Sequence, residues 1–254
     1  MPPPVISFRS VSVHDSLGFA QDVTKALEET AIPVFRQWAQ ELLDEEIARR
    51  KAEGEDEPYY SVNVDGTPNV PRSTVAGARR RVIYEFLWDI VQVGLAEMTQ
   101  IMQRSIARGA SPRSWIQKQL IASKVRVFYG SKEGMREVSS SADIKNFQPG
   151  EYIYLVPDAT TQVYANASKY GASHFMANAS ASIRRKAKIT KSTSSLRVSA
   201  VRSRAVWERL QVINRPRSGT PIKATIQGQN QRGPTYAWAI AIRYRSGVKR
   251  RVPR

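Results

Sequence analysis

Arg79-Arg-Arg-Val-Ile-Tyr-Glu-Phe-Leu-Trp-Asp-Ile-Val-Gln-Val-Gly-Leu-Ala-Glu-Met-Thr-Gln-Ile-Met-Gln-Arg104 is the stretch whose reading decides the fold. Its apolar residues include Ile83, Phe86, Leu87, Ile90, Val91, Leu95, Met98, Ile101 and Met102. Steps of three and four predict an amphipathic helix over 79–104. At the usual rise it would be roughly 37 Å long, enough to cross a small domain. Glu85, Asp89 and Glu97 interrupt the run, so it does not read as a membrane span. Two roles follow. The helix is the core of the domain, or it lines an interface between copies through Phe86, Ile90, Leu95 and Met98.

Toward the N-terminus, Phe19, Val23, Leu27, Phe35, Trp38, Leu42 and Ile47 keep helical spacing to about Arg50. Trp38 and Leu42 join the candidate interface set. Pro33 predicts a break near Ala31, because it lacks an amide donor and clashes one turn back. Residues 1–14 read as an extended proline-rich arm with one strand's worth of β-branched residues. The acidic Glu53-Gly-Glu-Asp-Glu-Pro58 reads as a solvated linker. Its carboxylates lack the alternate spacing of an EF-hand loop. These readings divide the chain into an arm with acidic helices over 1–57 and a core over 58–254.

Tyr59 to Asp65 alternates and ends in Asp65-Gly66, a strand and turn. A short helix starts at Ser111-Pro112. Lys124–Tyr129 and Tyr152–Val156 read as strands, with a loop over 131–149 between them. A weak helical stripe runs from Thr160 to Lys188. Residues 197–214 fit either a helix or a strand. Ile222–Ile226 and Tyr236–Tyr244 predict a long basic hairpin. The expected fold is α+β: a mixed or antiparallel sheet packed against one long central helix, with an N-terminal helical arm.

Charge is unevenly spread. Residues 1–78 hold 7 Lys/Arg and 13 Asp/Glu, or 7 − 13 = −6, and the remainder carries 32 − 9 = +23. This gradient suits nucleic acid, an acidic partner, or an acidic end of one copy set against the basic end of the next. The candidate contacts are Arg184, Arg185, Lys186 and Lys188 in one cluster and Arg243, Arg245, Lys249, Arg250 and Arg251 in another. Arg197, Arg202, Arg204 and Arg209 lie between them. Tyr236, Trp238 and Tyr244 are interleaved and offer rings for base stacking.

Chemistry is sparse. The chain has no cysteine, which excludes disulfides and thiolate metal sites. His14 and His174 stand apart, and no histidine pair has metal-ligand spacing. No phosphate-binding glycine loop and no nucleophile elbow occurs. Asp143, Glu151 and Asp158 are the one carboxylate set able to converge, which would suit a metal-dependent nuclease. Turn capping explains Asp143 and Asp158 as well. No enzyme and no cofactor are expected. The N-terminus lacks a basic leader followed by an apolar stretch, so synthesis in a reducing cytoplasm is expected.

Several motifs stand in a suggestive order. Val64-Asp65-Gly66 precedes a proline-containing loop, then Val82-Ile-Tyr-Glu-Phe86 opens the long apolar stretch. Ser111-Pro-Arg-Ser-Trp115 and Val125-Arg-Val-Phe-Tyr-Gly130 follow. This order, over roughly residues 60–165, resembles a family of tailed-bacteriophage virion proteins of the head–tail neck and tail-completion type. Their loop Ser-Pro-x-x-(Ser/Thr)-Gly-x-(Tyr/Leu) appears here without its glycine, since Ser114 is followed directly by Trp115. The resemblance implies a non-enzymatic virion protein that forms a homo-oligomeric ring. Its neighbours would be portal, adaptor or tail-tube proteins, with double-stranded DNA passing along the axis and no membrane. The alternative is a non-sequence-specific nucleic-acid-binding or packaging protein.

Overall fold

The computed structural model describes residues 13–14, 21–55, 57–107, 124–144, 146–157, 172–190, 194–213 and 236–249. The fold is α+β with antiparallel sheets. Its strands are β1 (Val13–His14), β2 (Tyr60–Val64), β3 (Arg81–Phe86), β4 (Val125–Ser131), β5 (Gly134–Glu137), β6 (Tyr152–Pro157), β7 (Leu196–Ser203) and β8 (Ala237–Tyr244). Its helices are α1 (Gln21–Ala52), α2 (Leu87–Ala107), α3 (Ala172–Lys186) and α4 (Arg204–Ile213). Sheet A has the order β1-β3-β2 and sheet B the order β5-β4-β6-β8-β7.

The stretch expected as one helix divides at Phe86. Residues 81–86 form β3 and only 87–107 form α2. Val82-Ile-Tyr-Glu-Phe86 is rich in β-branched and aromatic residues, and both of its faces are buried. Strand pairing with β2, Val62 opposite Tyr84, satisfies its backbone. The Asp65-Gly66 turn supplies the register: Asp65 and Gly66 have φ of +49° and +86°. The Asp65 carboxylate then accepts the amides of Arg79, Arg80 and Arg81 at 2.8, 2.8 and 2.7 Å, fixing where β3 begins.

Helix α1 runs unbroken through Pro33, contrary to the expected break. Pro33 is exposed, so the carbonyl it frees one turn back can be met by water. Ala39 and Leu43 of α1 close a core over Val62, Val64, Val82, Tyr84 and Phe86. The Tyr84 hydroxyl donates to the Ala39 carbonyl at 3.0 Å.

Sheet B carries the larger core. Tyr129, Ile153, Leu155, Val198, Ile240 and Ile242 face α2 and α3, through Ile90, Val91, Met98, Met176 and Ile183. Two helices thus cover this face rather than one central helix. Gly94 lets α2 approach β6: a Cβ there would sit 2.2 Å from Leu155 Cδ1. Among the described residues the opposite face is covered at one end, where Val206 and Leu210 of α4 meet Phe128, Val156, Ala237 and Ala239.

Two further expectations change. The 131–149 loop contains β5, paired with β4, and a 3-10 turn at Ser141–Asp143. Residues 197–214 are strand and then helix, switching at Ser203, whose hydroxyl accepts the Val206 amide at 3.2 Å. β8 is paired on both edges. β7 pairs with it from Ala237 to Tyr244, and β6 takes its other edge at Ile240–Ile242. The segment 222–226 and the expected helix after Ser111 lie outside the described residues. From the arm, Val13 and His14 pair with Val82 and Arg81.

Candidate functional site

Most buried carboxylates are occupied within the chain. Arg50, only 5% exposed, is the hub of one cluster. It donates to Glu46 at 2.7 Å, to Glu55 at 3.3 Å and to both oxygens of Asp89 at 2.8 and 2.7 Å. Its guanidinium carbon also lies 3.9 Å from the centroid of Phe86. Burial acts to lower the Arg50 pKa, but Asp89 and Glu46 outweigh it, so the group is held more firmly protonated than usual. Burial pushes Glu55 up, against the pull of Arg50. Residues 53–58 are therefore not merely a solvated linker, because Glu55 is tied to the α1–α2 junction.

Glu85 lies on the polar face of sheet A and is buried. Its Oε2 accepts the Ser195 amide at 2.7 Å and the Ser195 hydroxyl, with Ser61 and Asn63 each at 3.3 Å. This carboxylate bonds sheet A to the start of β7. Glu97 of α2 is likewise buried and accepts from Ser182 and Lys186 of α3.

Of the nuclease carboxylates, Asp143 and Glu151 are each occupied by their own turns. Asp143 caps its own turn, accepting the amides of Ser139 and Ser140 at 2.8 and 3.0 Å. These two bonds hold it below the usual carboxylate range. Glu151 accepts the Gln148 amide at 2.6 Å. Asp158 lies outside the described residues. Among the described residues no three His, Asp or Glu side chains are grouped to hold a metal ion.

The interface candidates fare unevenly. Phe86, Ile90, Met98 and Leu42 are buried within the chain itself, whereas Trp38 and Leu95 keep part of their surface. Leu95 lines an open groove of about 600 Å³ along α2, with Gln92, Ala96, Thr99 and Gln100, beside Lys186 of α3. Among the described residues no helix is long and apolar enough to cross a membrane.

The basic candidates also separate. Lys186 is paired with Glu97. Arg184 donates to the Val198 carbonyl and Arg245 to the Ser194 carbonyl, each at 3.0 Å. Arg185, Lys188 and Lys249 are exposed, and Arg250 and Arg251 lie outside the described residues. Of the interleaved aromatics, Tyr244 is buried with its hydroxyl 2.6 Å from that of Tyr59, so it offers no stacking surface. Arg202 packs over Tyr236 and Trp238, at 5.1 and 5.3 Å from their centroids.

One grouping was not legible in the sequence. On the face of sheet B left open by α4, Arg197 of β7 stands directly opposite Arg243 of β8. Arg243 lies 5.7 Å from the centroid of Tyr152, whose hydroxyl is 3.4 Å from its Nη1. Tyr152 in turn stacks on Tyr154, with centroids 5.6 Å apart and planes at 7°. Next to them Gly130 leaves room for Tyr154, whose Cε2 would be 3.3 Å from a Cβ there. Only the strand register joins these residues, which are far apart in the chain.

No family model, no characterised protein and no solved structure matches this chain.

Proposed function

We propose that this chain is a structural protein of a tailed-bacteriophage particle, assembling into a ring of its own copies in the neck or tail. It would contact portal, adaptor or tail proteins, with its basic surface toward acidic neighbours or the DNA in the channel. One observation carries the reading: among the described residues the exposed charge of α1 leans acidic, with Arg49 and Lys51 the exceptions, and that of β7 is basic. Glu41 and Glu45 point outward from α1, while Arg197 and Arg202 point outward from β7. A head-to-tail contact would bring such surfaces together and would close into a ring when the rotation allows. The order of motifs over residues 60–165 supports the same reading.

Exposed ion pairs contribute only about 0–1 kcal/mol each, so assembly needs several of them plus apolar contact. Trp38 and Leu95 are available for that contact. Analytical ultracentrifugation at about 0.1 M and about 1 M salt tests the reading, since screening shortens the reach of charge. A discrete oligomer that loses subunits at high salt is expected. A monomer at every concentration that also binds no virion component would remove the proposal.

A further inference from the structure

We infer that the face of sheet B around Tyr152, Arg243 and Arg197, left uncovered among the described residues, is a binding site for single-stranded nucleic acid. The inference goes beyond assembly and stands equally for a ring or a monomer.

The argument begins with a mismatch. Arg197 and Arg243 are cross-strand neighbours, and like charges placed so are destabilising. Neither is paired with a carboxylate among the described residues. Arg197 is exposed and Arg243 half-buried, with Arg243 Nη1 donating to the Tyr152 hydroxyl and its Nε buried without a partner. Two guanidinium groups on neighbouring strands, with no carboxylate beside them among the described residues, match the charge of a phosphodiester. A bound phosphate would turn the repulsion into attraction.

The aromatic pair narrows the ligand. Tyr152 and Tyr154 stack on each other with parallel planes beside these arginines, both partly buried, which leaves the outer faces of the pair for a further ring. A ring platform next to a phosphate site suits a base that is free of its complement. Bases of a duplex are stacked on one another and keep their faces from such a platform. An acidic peptide would use the arginines but gain nothing from the rings. Gly130 keeps the neighbouring strand low, so the platform continues toward β4. Ring stacking accepts every base, so sequence preference is expected to be weak.

Fluorescence anisotropy of the full chain with a labelled thymidine oligonucleotide of about 20 nucleotides tests the site, beside a duplex of equal length and polyglutamate as competitor. The oligonucleotide should bind more tightly than the duplex, with salt dependence. Tyr152→Ala should weaken it about tenfold, and Tyr152→Phe should bind nearly as well as the parent chain. Arg197→Gln, at an exposed position, should lower the salt slope by about 0.7. Absence of oligonucleotide binding would overturn the inference. So would tighter binding of the duplex, equal displacement by polyglutamate, or indifference of a folded Tyr152→Ala chain.

Discussion

Arg50 and Asp89 meet through two parallel N–H···O bonds of 2.8 and 2.7 Å, joining α1 to the first turn of α2. The fork geometry is what a guanidinium offers and an ammonium does not. Removing the arginine would leave Glu46, Asp89 and Glu55 facing one another without a cation. Arg50→Ala should destabilise by about 3–5 kcal/mol, the range for breaking a buried pair from one side. Lys should recover only part of this. Urea unfolding followed by circular dichroism measures it, and a loss under about 1 kcal/mol would mean the cluster is solvated.

Glu85 anchors Ser195 across the junction of the two sheets. Glu85→Ala would strand the Ser195 amide in a buried space, an unmade bond costing about 1–3 kcal/mol. Glu85→Gln retains an acceptor and should cost clearly less. The comparison of the two midpoints in denaturant is the readout, and equal losses would argue against the hydrogen-bonding role.

Gly94 is required by the approach of α2 to β6. Gly94→Ala gains helix propensity of about 1 kcal/mol but forces Leu155, itself fully buried, out of its place. A net loss of about 1–3 kcal/mol is expected. Leu155→Val in the same chain should return part of it, because the added methyl then finds space. Thermal melts of the single and double variants check this.

Asp65 makes the turn sensitive to acid. Burial raises its pKa, but the three amides of Arg79, Arg81 and Arg80 outweigh it and hold the carboxyl below its ordinary value. A depressed carboxylate contributes stability above its unfolded pKa and loses it as pH falls through the folded one. The contribution is therefore present at neutral pH and fades below about pH 4. Asp65→Asn should melt lower at neutral pH and approach the parent chain in acid. Parallel melting curves at every pH would count against this account.

Strands were legible in the sequence where residues alternate, as in β2 with its Asp-Gly turn and β4, and where a short β-rich run is bounded, as in β6; all three fall within a residue or two of expectation. The helix–strand division at Phe86 was not, because a strand buried on both faces has no alternation to show. Val82 to Phe86 merged with the apolar stripe that follows. The ambiguity at 197–214 had a physical basis, since Val198 and Val201 belong to a strand and Val206 and Leu210 to a helix. Ser203, three residues ahead of Val206, was the overlooked cap. Pairings such as Arg197 with Arg243, or Glu85 with Ser195, depend on register and on the docking of two sheets. No local pattern encodes either.

The seat of β8 between β6 and β7 constrains how the molecule is made. A growing chain that has already delivered β4, β6, α3 and β7 still lacks the strand that those last two sheet neighbours share. The ribosome must pass Tyr244 before sheet B can close, and until then Ile153, Leu155 and Val198 lack their central apolar companions. Proteolysis or premature termination upstream of Ala237 would therefore yield an aggregation-prone fragment, not a smaller working version of the protein.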